Sequence, residues 1–345
     1  MCGYVVLAAL GFASTSWLVS RVVPWPEDYG LRAKYDYFKQ HKDEYDVAFV
    51  GSSRLFRGVD PRIVDAGLRE QGVEARSINL AIGGMTGFES DFFVREIVRL
   101  EPARLKVIVL EDQPWDPNSY FLGNTFSSRN VFWHTPAETV SALRSVWSVD
   151  APLTDHVEWS WTHARLCAMK LANVAQGPRI ALDLLGKSRD PLRRALSTEQ
   201  LAEGAGFQAL DDLISGEFNP WREKLLANQE GFRAMVAAIP EQNARPVDLS
   251  RYNFKALGAQ HAAAASIGAE LVRLLPPGST GQPEALELAR TGAYAHTLDY
   301  NDPARFPRFF ELEWRFDEHH LNRAGAQELS RLIGIDLAPL LKRTH

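Results

Sequence analysis

The chain has 345 residues, 46% of them apolar and 23% charged, with a formal net charge of -5, nine Trp and two Cys. That store of large apolar side chains excludes a disordered chain, and the modest Gly and Cys counts exclude a collagen-like or disulfide-framework protein. The mildly acidic balance offers no basic stripe for a phosphate backbone, which argues against nucleic acid as a partner, and the length suits one or two globular domains.

Charge is absent from the first twenty residues. Gly3 to Ser20 (GYVVLAALGFASTSWLVS) approaches the ~20 apolar residues that a bilayer core demands of a helix, so residues 1–23 are expected to form a transmembrane anchor or an uncleaved signal. A cleavable signal would place a basic leader before a shorter apolar stretch, whereas Arg21 follows the run. The alternative is an N-terminal core helix, and Pro24 and Pro26 end the segment in either case. Arg21, Arg32 and Lys34 would by charge alone keep the body cytoplasmic. Cys2 and Cys167 lie at opposite parts of the chain and do not suggest a disulfide.

Residues 24–45 are polar and of mixed charge, and read as a linker helix. Asp46 to Val50 (DVAFV), stopped by Gly51-Ser52-Ser53, reads as a buried parallel strand running into a loop. Next come a helix over 61–71, a strand over 75–82 ended by Gly83-Gly84, a helix over 86–100, and a strand over 105–110. Strand and helix alternate at short intervals, which predicts an α/β domain whose functional loops lie at the carboxyl ends of a parallel sheet. Residues 117–249 are aromatic-rich, helical in pattern and punctuated by Pro and Gly, and are expected to be a helical insertion. The α/β rhythm returns with a helix over 256–267, a strand over 269–275 and a last helix from Ala324 to about Leu332. No internal repeat or low-complexity tract is evident.

The strand ends carry the chemistry. The first is followed by Gly51-Ser52-Ser53-Arg54, the second by Asn79-Leu80-Ala81-Ile82-Gly83-Gly84-Met85-Thr86, the third by Glu111-Asp112-Gln113-Pro114-Trp115, and near the C-terminus stands Phe316-Asp317-Glu318-His319-His320-Leu321-Asn322. A serine on a tight strand-to-helix turn is exposed and can use nearby backbone N–H groups to hold an oxyanion. An Asp three residues before a His can orient that imidazole as a general base. Gly-Ser-Ser is also an ordinary turn. Asp317, His319 and His320 could instead bind a metal, but no second ligand cluster accompanies them, so no metal and no cofactor is expected.

In this order the motifs resemble those of the SGNH, or GDSL-type, hydrolase superfamily, over about residues 46–116 and 250–345. The resemblance implies a flavodoxin-like three-layer sandwich with a central parallel sheet. It assigns Ser53 as nucleophile, Asp317 and His320 as its partners in a catalytic triad, and the N–H groups of Ser53 and Gly84 as oxyanion donors. Ser52 stands where many members have Asp. Where the family places an Asn after a Gly, this chain has Glu111-Asp112-Gln113-Pro114, leaving Gln113 or Asn118 as the third donor.

The GSSR turn, the N-terminal apolar segment and the large insertion are similar to one branch in particular, the membrane-anchored D-alanine transfer and alginate O-acetylation proteins. That likeness implies an enzyme on the outer, periplasmic or extracellular side of the cytoplasmic membrane, acting beside a membrane-bound O-acyltransferase on a cell-surface polysaccharide. The alternatives are a free-standing esterase or lipase, and a catalytically silent module that binds a glycan or a partner. Arg54 and Arg57 could meet an anionic sugar or form structural ion pairs. Trp115, with Asn118 nearby, is a candidate substrate contact. Trp133, Trp159, Trp161 and Trp221 could pack a core or stack on sugars.

Overall fold

The structure is a computed structural model that describes residues 2–22, 25–26, 30–113, 125–173, 197–213, 219–249 and 254–343. The chain divides into two compact units, one formed by Met1–Ala33 with Trp115–Ala195 and the other by Lys34–Pro114 with Leu196–His345. The first is helical, the second α/β.

Helix α1 (Cys2–Val22) covers the expected anchor. No helix among the described residues is long and apolar enough to cross a membrane. Ser14, Thr15, Ser16 and Ser20 dilute the apolar run, and Ser16 is buried, donating through Oγ to the Leu171 carbonyl. Helix α2 (Leu31–His41) lies within residues 24–45, read as a linker helix, and packs against the body. Tyr35, Tyr37 and Phe38 are buried, and Lys34 donates through Nζ to the Ala81 carbonyl at 2.6 Å. Burial, and then the charge of Arg57, hold the Lys34 ammonium well below its ordinary pKa.

Strand β1 (Val47–Val50) is fully buried and leads through Gly51-Ser52 into helix α3 (Ser53–Gly58) and helix α4 (Pro61–Glu70). Ser52 caps α3 by accepting the Arg54 N–H, and Asp60 caps α4 by accepting that of Arg62. Strand β2 (Ser77–Asn79), helix α5 (Gly87–Arg99) and strand β3 (Val107–Glu111) follow.

In the helical unit come α6 (Ser128–Trp133), α7 (Pro136–Val146) and α8 (Leu153–Leu171). The α/β unit resumes with α9 (Thr198–Gly204), α10 (Asn219–Ala227), α11 (Gln229–Asn243) and α12 (Phe254–Ser266). After these it adds β4 (Glu270–Leu275), α13 (Pro283–Arg290), β5 (His296–Asp299) and α14 (Arg323–Arg343). Residues 117–249 are therefore not one insertion. The segment after Leu196 belongs with the sheet, where the Asn79 N–H donates to the Ala205 carbonyl at 2.8 Å.

The five strands are all parallel, in the order β2-β1-β3-β4-β5. That is the order of flavodoxin-like sheets, which place their functional crevice at the carboxyl ends of the strands. Strand β5 went unrecognised in the sequence because its HTLD is only partly buried at the sheet edge and lacks an apolar run. Helix α14 runs past the expected Leu332 because Ile333, Leu337, Ala338 and Leu341 continue its buried face.

Helices α4 and α14 cross at two glycines. A Cβ on Gly334 would stand 2.4 Å from the Val64 carbonyl and 3.1 Å from Gly67 Cα, so the backbones meet with no side chain between them. Asp60 donates its N–H to Ser330 Oγ at 2.8 Å in the same crossing. Since α3 leads directly into α4 and the Asp317 to His320 segment leads into α14, this crossing ties the first chemical motif to the last.

Candidate active site

Ser53 begins α3 at the carboxyl end of β1 and is half-buried. Its Oγ lies 2.8 Å from His320 Nε2, and His320 Nδ1 lies 2.9 and 2.8 Å from the two Asp317 oxygens. The Nδ1–H donates to the carboxylate, which assigns the tautomer whose Nε2 accepts the Ser53 hydroxyl. Three residues from opposite ends of the chain thus form one hydrogen-bonded series.

Asp317 also accepts the backbone N–H groups of His319 (2.7 Å) and His320 (2.8 Å). Burial raises the Asp317 pKa, but the His320 hydrogen bond and charge, with those two N–H bonds, outweigh it and hold the carboxyl below its ordinary value. The segment that carries Asp317 and His320 is a closed loop. Arg315 and Leu321 form an antiparallel bridge across it, and the His320 carbonyl accepts from Phe316. Arg315, fully buried inside the loop, donates to the carbonyls of Asp317 (3.3 Å), Pro277 (3.3 Å) and Glu318 (2.7 Å). Burial lowers the Arg315 pKa to about 10, so it stays charged at neutral pH.

His319 does not reach the serine. Its Nδ1 lies 3.3 Å from Ser279 Oγ on the loop after β4, and burial, then the His320 charge, lower its pKa.

The serine turn is held from below by Glu111, the last residue of β3. Glu111 Oε2 accepts the Ser52 N–H at 2.5 Å, and Oε1 accepts Ser52 Oγ at 2.9 Å and Arg54 Nε at 2.7 Å. Glycine is required beside it, because a Cβ on Gly51 would stand 2.5 Å from Glu111 Cβ and Oε2. Asn79, at the end of β2, secures the other end of α3 by donating to the Leu55 (2.8 Å) and Val59 (2.7 Å) carbonyls.

Gly84 has φ +64°, a left-handed turn at the end of the second motif that suits glycine. Gln113 is engaged on both sides of its amide, accepting from Ser90 Oγ at 3.0 Å and donating to the Met85 carbonyl at 2.7 Å. The amide therefore braces the Gly84 turn, and its Nε2 already serves one acceptor there. Arg54, expected to meet substrate, is the ion-pair partner of Glu111. Arg57 is buried, donates to the Gln208 carbonyl (3.2 Å) and side chain (2.7 Å), and lies over the Phe56 ring at 4.0 Å. Both arginines thus have partners within the chain, an ion pair for Arg54 and hydrogen bonds to Gln208 for Arg57. Trp115 and Asn118 lie outside the described residues.

Trp221 on α10 is the aromatic that the structure brings to the site. Its ring lies 6.2 Å from the His320 imidazole at an interplanar angle of 11°, and 43% of the residue is exposed. Around it, Arg222 donates to the Arg315 carbonyl at 2.9 Å and Lys224 pairs with Glu318 at 2.8 Å, docking α10 on the loop that holds His320. Sequence spacing offered one signal for Trp221, an aromatic directly after Pro220, which does not distinguish a site from a core. Glu111 and Arg315 gave none, since a lone buried charge has no sequence pattern.

Among the described residues, no group of three or more His, Cys, Asp or Glu is placed to hold a metal ion. Set against protein families, curated proteins and solved structures, the chain has no match.

Proposed function

We propose that the α/β unit is an SGNH-type serine acyltransferase that moves an acyl group, an acetyl by the resemblance, onto a cell-surface polysaccharide. The observation that carries this reading is the unbroken series Ser53 Oγ, His320 Nε2, His320 Nδ1 and Asp317 at the carboxyl end of a parallel sheet. His320 takes the Ser53 proton as Oγ bonds to the acyl carbonyl carbon, and Asp317 balances the charge the imidazole gains. The Ser53 and Gly84 N–H groups stabilise the tetrahedral oxyanion. On collapse the bond to the alcohol or thiol leaving group breaks, His320 returns the proton to it, and acyl-Ser53 remains. An acceptor hydroxyl then gives its proton to His320 and bonds to the acyl carbon, the acyl–Oγ bond breaks, and His320 returns that proton to Ser53 Oγ.

Trp221 supports a sugar acceptor over water, because an exposed indole parallel to the base offers a stacking face beside the acyl-enzyme. The helical unit attaches the enzyme to the cytoplasmic membrane, with the α/β unit on the outer side. A membrane-bound O-acyltransferase would be the partner that delivers the acyl donor.

Incubating the full chain with an acetyl ester and candidate surface glycans tests the reading. Acetate should appear on sugar, and both this transfer and labelling by a serine-directed fluorophosphonate should vanish in Ser53→Ala. Acetate released only to water would reject transfer, and equal labelling of wild type and variant would reject Ser53 as nucleophile.

A further inference from the structure

All but two of the exposed large hydrophobic side chains among the described residues, Trp221 and Leu226, belong to the helical unit. Part of that surface is α1, which exposes Leu7, Leu10, Phe12 and Leu18 around its circumference. A helix apolar all round calls for an apolar surrounding.

Helix α8 adds a second surface with a definite geometry. Leu153, Val157, Trp161, Ala164, Ala168 and Leu171 are all exposed, and their spacing of three or four places them on one face. Its opposite face buries His163 and Leu166. An ordinary amphipathic helix would turn polar side chains outward. Here the outward stripe is apolar along its whole length, about 28 Å at 1.5 Å per residue.

The two surfaces are joined. Ser16 Oγ of α1 donates to the Leu171 carbonyl, and Asn173 Nδ2 donates to both Ser16 O and Ser16 Oγ at 2.7 Å. Leu171, the last residue of the stripe, therefore stands beside α1, so an apolar phase covering α1 reaches α8. Charge agrees with an anionic lipid surface as that phase. From Trp159 to Leu171 the exposed Arg165 flanks the stripe and no acid is present, while Lys170, four residues from Leu166, lies on the opposite face over the Phe132 ring and Asp155 and Glu158 lie at the far end. Trp17, Trp147 and Trp161 are exposed on the same unit, and indoles favour the headgroup boundary.

We propose that α1 and the outward face of α8 form one membrane-embedded surface, with α8 lying in the headgroup and acyl-chain boundary of an anionic bilayer. This rests on the membrane attachment proposed above and replaces a single crossing helix with a monotopic unit. α1 enters the acyl region, and the Ser16 junction holds α8 at the boundary.

The experiment uses the full chain and phosphatidylethanolamine–phosphatidylglycerol vesicles. A triple variant, Val157→Gln, Trp161→Gln and Leu171→Gln, alters only exposed side chains and leaves α1 intact. Its vesicle partition coefficient is expected to fall at least about tenfold, with soluble-ester turnover as in wild type. Brominated lipid should quench less Trp emission in Trp161→Phe than in wild type. Equal partition of triple variant and wild type, or equal quenching, would overturn the α8 face. So would a wild type that binds no vesicles but forms a dimer the triple variant loses, because the stripe would then be a contact between copies. Vesicle binding by a wild type that turns over no ester, weakened in the triple variant, would support the membrane surface while removing the acyl-transfer reading.

Discussion

Each unit of the molecule buries an imidazole, His134 in the helical unit and His320 in the α/β unit, and the two meet different partners. In the helical unit His134 Nε2 faces His163 Nδ1 at 2.9 Å, His134 Nδ1 lies 2.5 Å from the Asn130 carbonyl, and the Trp133 ring stacks on His134 at 3.7 Å. Burial, then the charge of His163, push the His134 pKa down to about 3, so the ring stays neutral and serves as packing. In the α/β unit His320 is also buried, but its inner nitrogen meets the Asp317 carboxylate and its outer one meets a hydroxyl. A buried imidazole can take up a proton when a fixed negative charge stands behind it, and cannot when a second imidazole does.

The sharpest way to break this contrast is to remove the charge. Asp317→Asn should lower kcat on a soluble ester by about 10⁴-fold, with KM little changed, in steady-state assays. Glu111→Gln tests the support beneath the serine. Ser52 and Arg54 would lose their shared carboxylate, and kcat should fall about 100-fold for a misplacement near 1 Å, while slow fluorophosphonate labelling of Ser53 persists. Gly334→Ala drives a Cβ into the Val64 carbonyl, and should destabilise the α/β unit by roughly 1–3 kcal/mol in denaturant unfolding.

Acid should act on the buried His134–His163 contact. The His134 pKa is depressed in the folded state, so its contribution to stability is complete above the ordinary histidine value near 6.5 and is lost as pH falls toward about 3. The loss approaches about 1.4 kcal/mol per pH unit in that window. Urea midpoints measured against pH should show this slope in wild type and a shallower one in His134→Phe. The smallest effect is expected for Trp221→Ala, which should raise KM for a sugar acceptor about threefold to tenfold and leave transfer to water nearly unchanged.

What was legible in the sequence was local. Strand β1 and the Gly51-Ser52-Ser53 turn form a contiguous apolar run with a stop, and Asp317 and His320 sit at a spacing that one loop can close. The residues that hold those motifs are scattered. Glu111 looks like any acid after a strand, and its role appears only when parallel pairing sets the end of β3 beside the end of β1. Arg315 is a charge inside a loop with no pattern around it. Strand β5 has no alternation to read because an edge strand buries so little. Chain proximity of Arg54 and Arg57 to Ser53 leaves open which guanidinium has a partner, and only the fold brings Glu111 to Arg54 and Gln208 to Arg57.

The α4–α14 crossing also bears on when Ser53 and His320 can come together. Ser53 and His320 are 267 positions apart, so the serine turn and its sheet neighbours leave the ribosome long before the histidine does. Until α14 lays its glycine against Gly67, the histidine loop has only its own contacts, such as Arg315 with the Pro277 carbonyl and Lys224 with Glu318, to hold it beside the serine. A chain cut before Asp317 would carry Ser53 without either of its hydrogen-bonded partners, so fluorophosphonate labelling of such a fragment would report on what the late segment contributes.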